Sequence, residues 1–371
     1  MTDFFDMTRR EFIRTSALLT AGTAFAHAAE LPPESAAAPP GAPVFPYGAV
    51  YFRKTNPPPE DWARDHQTAA ETGMNIFRHW FMWSAIEVAP GKYDWSDYDR
   101  IMDLAAKNGI KVVLEELVGC APEWAFRKYP HARYLGSDDF VVNSTVSESS
   151  ATGGFPGLCL DNPDVQAAAQ TFLVALVEHY RDHPALFGYD LWNEGTSFGG
   201  NPHRMYCYCE GSKRKLREWL QLRYGSLETV AKQWHRYSYQ SWDDIEPLRS
   251  FSGYADSLDW LEFRIDNAYS LLDWRVKLFR KLDPKHRITA HGVAGTLISL
   301  PSASHNEWRS AAEVDTWGPH LDCSPAGRRT LEAVSGGGPG TGWSTRQAVL
   351  ACRSGGRSPL DATPGNRAAH R

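Results

Sequence analysis

From Tyr47 onward the chain alternates short apolar runs with amphipathic stretches, and this alternation restricts the fold more than any other feature. Apolar runs at 47–52 (YGAVYF), 75–80 (NIFRHW), 110–117 (IKVVLEEL), 185–194 (ALFGYDLWNE), 287–292 (RITAHG) and 312–318 (AEVDTWG) predict six strands. Between them the 3.6-residue period predicts helices at 59–73, 96–109, 162–184 and 256–282. Pro59 opens the first and Gly73 follows it. Ser96 is the expected N-cap of the second, with Tyr98, Ile101, Leu104 and Ala105 on its apolar face and Gly109 as its stop. On the long 256–282 helix the expected face is Leu261, Ile265, Ala268, Leu272, Phe279 and Leu282. A long polar loop is expected from 118 to about 160.

Strands separated by helices pair in parallel, because a parallel crossover needs a dozen or more residues. Two closures satisfy that, an open doubly wound sheet and a (β/α)8 barrel. No Gly-rich phosphate loop follows any of the strands, which weighs against a dinucleotide-binding sheet. Polar residues instead gather toward strand C-termini: Arg78 and His79, Glu115 and Glu116, Asn193 and Glu194, and His291. That is the catalytic face of a barrel. Since a barrel needs eight strands, the fold class is an α/β TIM barrel, incomplete at about six strands.

The flanks differ from this body. Residues 7–30, MTRREFIRTSALLTAGTAFAHAAE, carry Arg9-Arg10, a weakly apolar stretch and Ala26-His27-Ala28. They read as a twin-arginine signal peptide over 1–28, giving a periplasmic or secreted protein, with an amphipathic helix lying on lipid as the alternative. The apolar run is too short to span a bilayer, so no stable membrane anchor is expected. Residues 29–46 are a Pro/Ala linker and 47–318 the partial barrel domain. The net charge of −5 leaves no electrostatic footprint for nucleic acid. Fourteen Trp suit a sugar-binding protein, because an indole packs on the C–H face of a pyranose, although core packing accounts for many of them.

Glu194 ends an apolar strand beside Trp192, where desolvation raises a carboxyl toward the range of a general acid. A structural ion pair is the competing role. One carboxylate seldom completes a reaction, and a partner facing it across a substrate has to come from a different strand.

At this point the residues resemble a family. GMNIFRHWFMWSAIEVAPGKYDWSDYDRIMDLAAKNGIKVVLEELVGCAPEWA (73–125) resembles the first third of a glycoside hydrolase family 42 β-galactosidase. The segment at 207–245, from CYCEGSKRKL to QSWDDI, is similar to the stretch after that family's fourth strand. The resemblance runs over about 47–318. It implies a retaining two-carboxylate hydrolase of β-galactosides or related β-linked sugars, with Glu194 as acid/base and no redox or nucleotide cofactor. It implies Asn193 as a contact to the sugar 2-hydroxyl, and Arg78 and Trp234 as sugar contacts. For Arg78 an ion pair to Glu115 or Glu194 stays open, and for Trp234 core packing does. Homo-oligomers, often trimers, are implied as well.

Three departures accompany the resemblance. The family's structural zinc centre maps onto Cys159, Cys207 and Cys209, but its fourth position is Ser212, so no tightly bound zinc is expected; His203 or water are the other candidates to complete it. Phe155 stands where the family has a substrate-contacting Arg, which leaves the sugar preference open. Finally, residues 319–371 lose all periodicity, becoming rich in Gly, Arg, Pro and Ser; from Cys323 there is no Lys, Ile, Phe, Tyr or Met. They read as a disordered tail, out of frame from near codons 318–323, with a natural basic tail as the alternative. The family's nucleophile is a Glu on a seventh strand. Asp322, Glu332 and Asp361 are the carboxylates after Gly318, and none ends an apolar run. The nucleophile is therefore unassigned, and an inactive pseudoenzyme or sugar-binding remnant is the alternative to an active glycosidase.

Overall fold

The computed structural model describes residues 46–54, 56–144, 157–193, 205–250, 254–293 and 306–320. The expected signal peptide, nearly all of the linker and residues 321–371 lie outside the described residues, as do Glu194, Phe155 and His203.

In chain order the elements are β1 (Gly48–Phe52), α1 (Trp62–Glu71), β2 (Ile76–Met82), α2 (Trp83–Ile86), β3 (Glu87–Ala89), β4 (Lys92–Tyr93), α3 (Ser96–Lys107), β5 (Lys111–Leu117) and α4 (Glu123–Lys128). They continue with α5 (Pro163–Tyr180), β6 (Leu186–Asn193), α6 (Glu210–Tyr224), α7 (Leu227–Gln233), α8 (Ala255–Leu282), β7 (Arg287–Val293), α9 (Glu307–Glu313) and β8 (Thr316–His320). Strands β1-β2-β5-β6-β7-β8 form one sheet in that order, every pair parallel. The sheet curls into a partial barrel. The six expected strands are all present, and β1 and β8 are its edges among the described residues. Pro319, which cannot donate to a ladder, falls on the edge strand β8.

Period-2 alternation sorts the strands' side chains between two faces. Phe77 and Phe81 of β2, Val112 and Leu114 of β5, and Tyr189 and Leu191 of β6 belong to the main core, packed with helix residues such as Ile101, Phe172, Leu176 and Phe279. The alternate residues Trp80, Met82 and Leu117 form a separate cluster with Cys120. The same inward set contains Arg78, Glu115 and Asp190. Adjacent Glu115 and Glu116 therefore point opposite ways: Glu115 to Arg78 across the inner face, and Glu116 outward to Arg275 of α8, with Arg275 Nε 2.5 Å from Oε1. Gly188 permits the close approach of β6 to β7, since a Cβ there would stand 2.5 Å from the Arg287 carbonyl oxygen.

Several local expectations are corrected. Ser96 is the first helical residue of α3 and not its cap; the Asp94 carboxylate accepts both its N–H and its O–H, so the turn preceding the helix is held one residue earlier. Met102 takes the buried place expected for Leu104, which is half-buried. Helix α1 begins at Trp62, because the Pro-rich 57–59 stretch forms a turn before it. The stretch expected to be loop contains α4, a single 3-10 turn at Pro130–Ala132 and two isolated bridges. The β3–β4 hairpin is also additional. Residues 312–313 end helix α9, and the last strand runs from Thr316 to His320, past the expected barrel boundary at 318.

Helix α8 does not bury the single apolar face expected of it. Its first half buries Trp260 and Phe263 in a satellite core with Tyr208, Leu216, Leu220 and Val230. Its second half buries Leu272, Val276 and Phe279 against the barrel. One helix serves two cores, so its buried side shifts along its length.

Candidate active site

Arg78 organises the inner face. Its Nη2 lies 2.5 Å from Glu115 Oε1 and donates to Asn193 Oδ1 at 3.1 Å. Its Nε donates to Asp190 Oδ2 at 2.8 Å. His291 Nδ1 meets the same Asp190 oxygen at 2.9 Å, and Arg78 Nη2 lies 3.1 Å from His291 Nε2. A proton on Nδ1 satisfies this arrangement, with Nδ1–H donating to the carboxylate. Glu115 and Asp190 are buried and in register with each other across β5 and β6. The ion pair left open for Arg78 is present, to Glu115 and to Asp190.

Asn193 reaches this group through a backbone irregularity. Between Asp190 and Asn193 the β6–β7 register slips: Asp190 pairs with Thr289 and Asn193 with His291, three residues against two. In a regular strand, residues three apart face opposite sides. The extra residue turns Asn193 back to the side of Asp190, as a bulge does next to functional sites. Glu194 is the next residue in the chain and lies outside the described residues.

Two carboxylates share one guanidinium here, and their acidities split. Burial drives Glu115 well above the usual carboxylate range, with Arg78 only partly opposing it and Asp190 adding to it. Burial also pushes Asp190 up, but His291 and Arg78 outweigh that and hold it below its ordinary value. The consequences for stability have opposite signs. Asp190 contributes stability above its unfolded pKa that is lost as pH falls. Glu115 contributes below its unfolded pKa of about 4.3, and that contribution is lost as pH rises through the folded value. Glu115→Gln is therefore expected to gain stability relative to wild type as pH is raised from about 4 to about 8. Urea midpoints across that range test this; a constant difference, or one moving against the variant, contradicts it.

Trp234 is placed elsewhere. It is buried in the satellite core, its indole N–H donates to Asp259 Oδ2 at 2.6 Å, and it is not among the side chains that Arg78 touches. The core-packing role left open for it describes its surroundings. The three cysteines do converge: the sulfurs of Cys159, Cys207 and Cys209 lie within 4.8 Å of one another, all buried. Ser212 Oγ is 3.4 Å from Cys159 Sγ and 3.5 Å from Cys209 Sγ. Asp190 is a site residue that the sequence does not single out; its one mark is that it is a lone acid inside the apolar run LFGYDLW. His291 and Glu115 were seen at strand ends without a role.

A curled parallel sheet flanked by helices, with ionisable side chains gathered on its inner face, has the architecture of a partial TIM barrel. Comparison with known proteins narrows this. A glycoside hydrolase family 42 model, described as β-galactosidase, matches residues 51–327, and the chain belongs to that family. It is similar to the β-galactosidase of Geobacillus kaustophilus, 23% identical over 287 residues that cover 74% of this chain and 40% of the relative. It is likewise similar to a β-galactosidase of Heyndrickxia coagulans, 26% identical over 290 residues, covering 75% and 40%. The crystal structure of the β-galactosidase from Bacillus circulans sp. alkalophilus shares the fold, with a TM-score of 0.63 at 22% identity, over 78% of this chain and 42% of that one. The chain spans about two fifths of the length of these relatives.

Proposed function

We propose that this chain carries the sugar-recognising and proton-transferring part of a retaining β-glycosidase that acts on β-galactosides or related β-linked sugars. The observation that carries the reading is the Arg78 cluster, which fixes Asn193, the residue that precedes Glu194 in the chain. Asn193 Oδ1 accepts from Arg78. Among the described residues its amide NH2 has no acceptor, and it donates to a sugar 2-hydroxyl, a contact that strengthens in the oxocarbenium-like transition state. Glu194 serves as acid toward the leaving oxygen, then as base toward water. The second carboxylate attacks the anomeric carbon and belongs on a seventh strand. Glu115 does not suit that role: it is buried against Arg78 and favours its neutral form.

A second reading, a sugar-binding remnant without turnover, is favoured by the carboxylates at Asp322, Glu332 and Asp361, none of which ends an apolar run. For the purified 371-residue chain we expect no release of the aryl group from an aryl β-galactoside. Release that disappears in Glu194→Gln would locate a nucleophile in the chain and retain Glu194. Release that persists in Glu194→Gln would remove Glu194 from its role. Export through the twin-arginine route, a periplasmic or secreted location and assembly into homo-oligomers belong to the same proposal. Among the described residues no helix is long and apolar enough to cross a membrane.

A further inference from the structure

Beneath α1, on the outer side of β1 and β2, two histidines are buried short of the partners such groups need. His66 of α1 and His79 of β2 are both fully buried, with ring centroids 6.4 Å apart. His66 Nδ1 lies 2.7 Å from the Trp62 carbonyl oxygen, an acceptor, so Nδ1 carries the proton of the neutral ring. His66 Nε2 and both nitrogens of His79 have no hydrogen-bond partner among the described residues. We propose that this pair is an acid-sensitive latch, which holds α1 on β1 and β2 while both rings are neutral and releases it when they take up protons.

The enclosure is aromatic. The Tyr51 ring lies 5.0 Å from His66 and 5.8 Å from His79, and the Phe77 ring 5.2 and 5.8 Å from the same two. Phe52 meets His79 edge-on at 6.1 Å. A neutral imidazole packs there as one more ring. An imidazolium would be a buried cation with an N–H that meets no acceptor, which is costly.

The charged groups around the pair do not offset that cost. From α1, Asp65 attracts His66, but its Oδ2 already accepts from the Tyr51 hydroxyl at 3.2 Å. Arg64 Nη2 ties Asp65 and Asp61 on the exposed side, at 3.0 and 2.9 Å. From β1, Tyr51 itself brings no charge, since burial raises its hydroxyl far above neutrality. From β5, Leu114 stands in register with His79. From α3, Tyr98 packs on Phe52, and the Arg100 guanidinium lies 4.9 Å over the Trp62 ring, a cation that opposes a second one. Arg78, next to His79 in β2, turns to the inner face. Burial accordingly holds both imidazoles below their ordinary value, His79 at about 3, where His66 adds its repulsion and the Arg78 backbone opposes only in part.

The packed state thus excludes protons that free histidines take up near pH 6.5. Its stability is complete above that pH and is lost as pH falls below it. Between pH 7.5 and pH 5 each histidine that is freed raises the opening equilibrium about 30-fold. The opening is local, because α1 covers β1, which among the described residues pairs with β2 alone.

Hydrogen exchange of the full chain at pH 7.5 and pH 5, corrected for the intrinsic exchange rate, tests this. Helix α8 has no histidine and serves as the reference. Peptides from α1 should lose protection about 30-fold or more relative to α8 at the lower pH. His79→Leu should reduce that loss by about 30-fold, and His66→Leu with His79→Leu should remove it. Equal changes in α1 and α8 of the wild-type protein, or none in α1, would overturn the latch. So would an acid-dependent loss in α1 that survives in the folded double variant. The wild-type comparison decides the matter even where a variant does not fold.

Discussion

Arg78→Met is expected to lower the stability of the domain by about 3–5 kcal/mol, a large share of what a domain of this kind possesses. The guanidinium is the cation shared by two buried carboxylates, Glu115 and Asp190. Its removal leaves Asp190 with His291 and Glu115 with only the smaller attraction of Arg53. Breaking such a group from one side costs more than the intact group ever contributed, because desolvated charge is left behind. Because burial already favours neutral Glu115, the stranded charge is chiefly that of Asp190, and the deficit should shrink as pH falls and Asp190 takes up a proton. Arg78→Lys should lose less, since it keeps the charge but not the fork of donors that spans Glu115, Asp190 and Asn193. Urea midpoints of the three proteins check this. A shift under about 1 kcal/mol in Arg78→Met would mean that the cluster is not buried charge held by one cation.

Asn193→Ala is expected to weaken binding of a β-galactoside about 10–100-fold, the scale of one or two well-placed hydrogen bonds, while leaving stability nearly unchanged. The contrast with Arg78 follows from burial. Asn193 is half-buried at the strand end and accepts one bond. Its loss strands no charge. Calorimetric titration beside a thermal melt separates the two effects; unchanged affinity in a folded variant would take the 2-hydroxyl contact away from Asn193.

The strand–helix alternation was sufficient to read the six parallel strands and the face on which their polar residues meet. Boundaries were less legible where tertiary contacts override local period. The buried side of α8 is set by two cores, and residues 312–313 follow α9 because the chain must cross back before pairing β8 with β7. Within the site, Asn193 could be picked out as a polar residue at a strand end; Arg78, expected at one, is the third of seven residues in β2, which runs on to Met82. Asp190 could not be assigned a role, since a single acid in an apolar run does not disclose which cation it faces 112 residues away. The slip that turns Asn193 inward is a relation between two strands and leaves no mark on either alone. Trp234 shows the reverse limit: an aromatic residue at a position that resembles a sugar contact stands just past the end of α7 in a core, with its polar atom donating to Asp259.

The central claim is that the Arg78 cluster and the residues at the end of β6 recognise a sugar. Calorimetric titration of galactose into the folded 371-residue chain tests it most directly, with Asn193→Ala alongside. Saturable uptake at one site is expected, weakened about 10–100-fold in the variant. No heat from a folded wild-type protein, or uptake indifferent to Asn193, would contradict it.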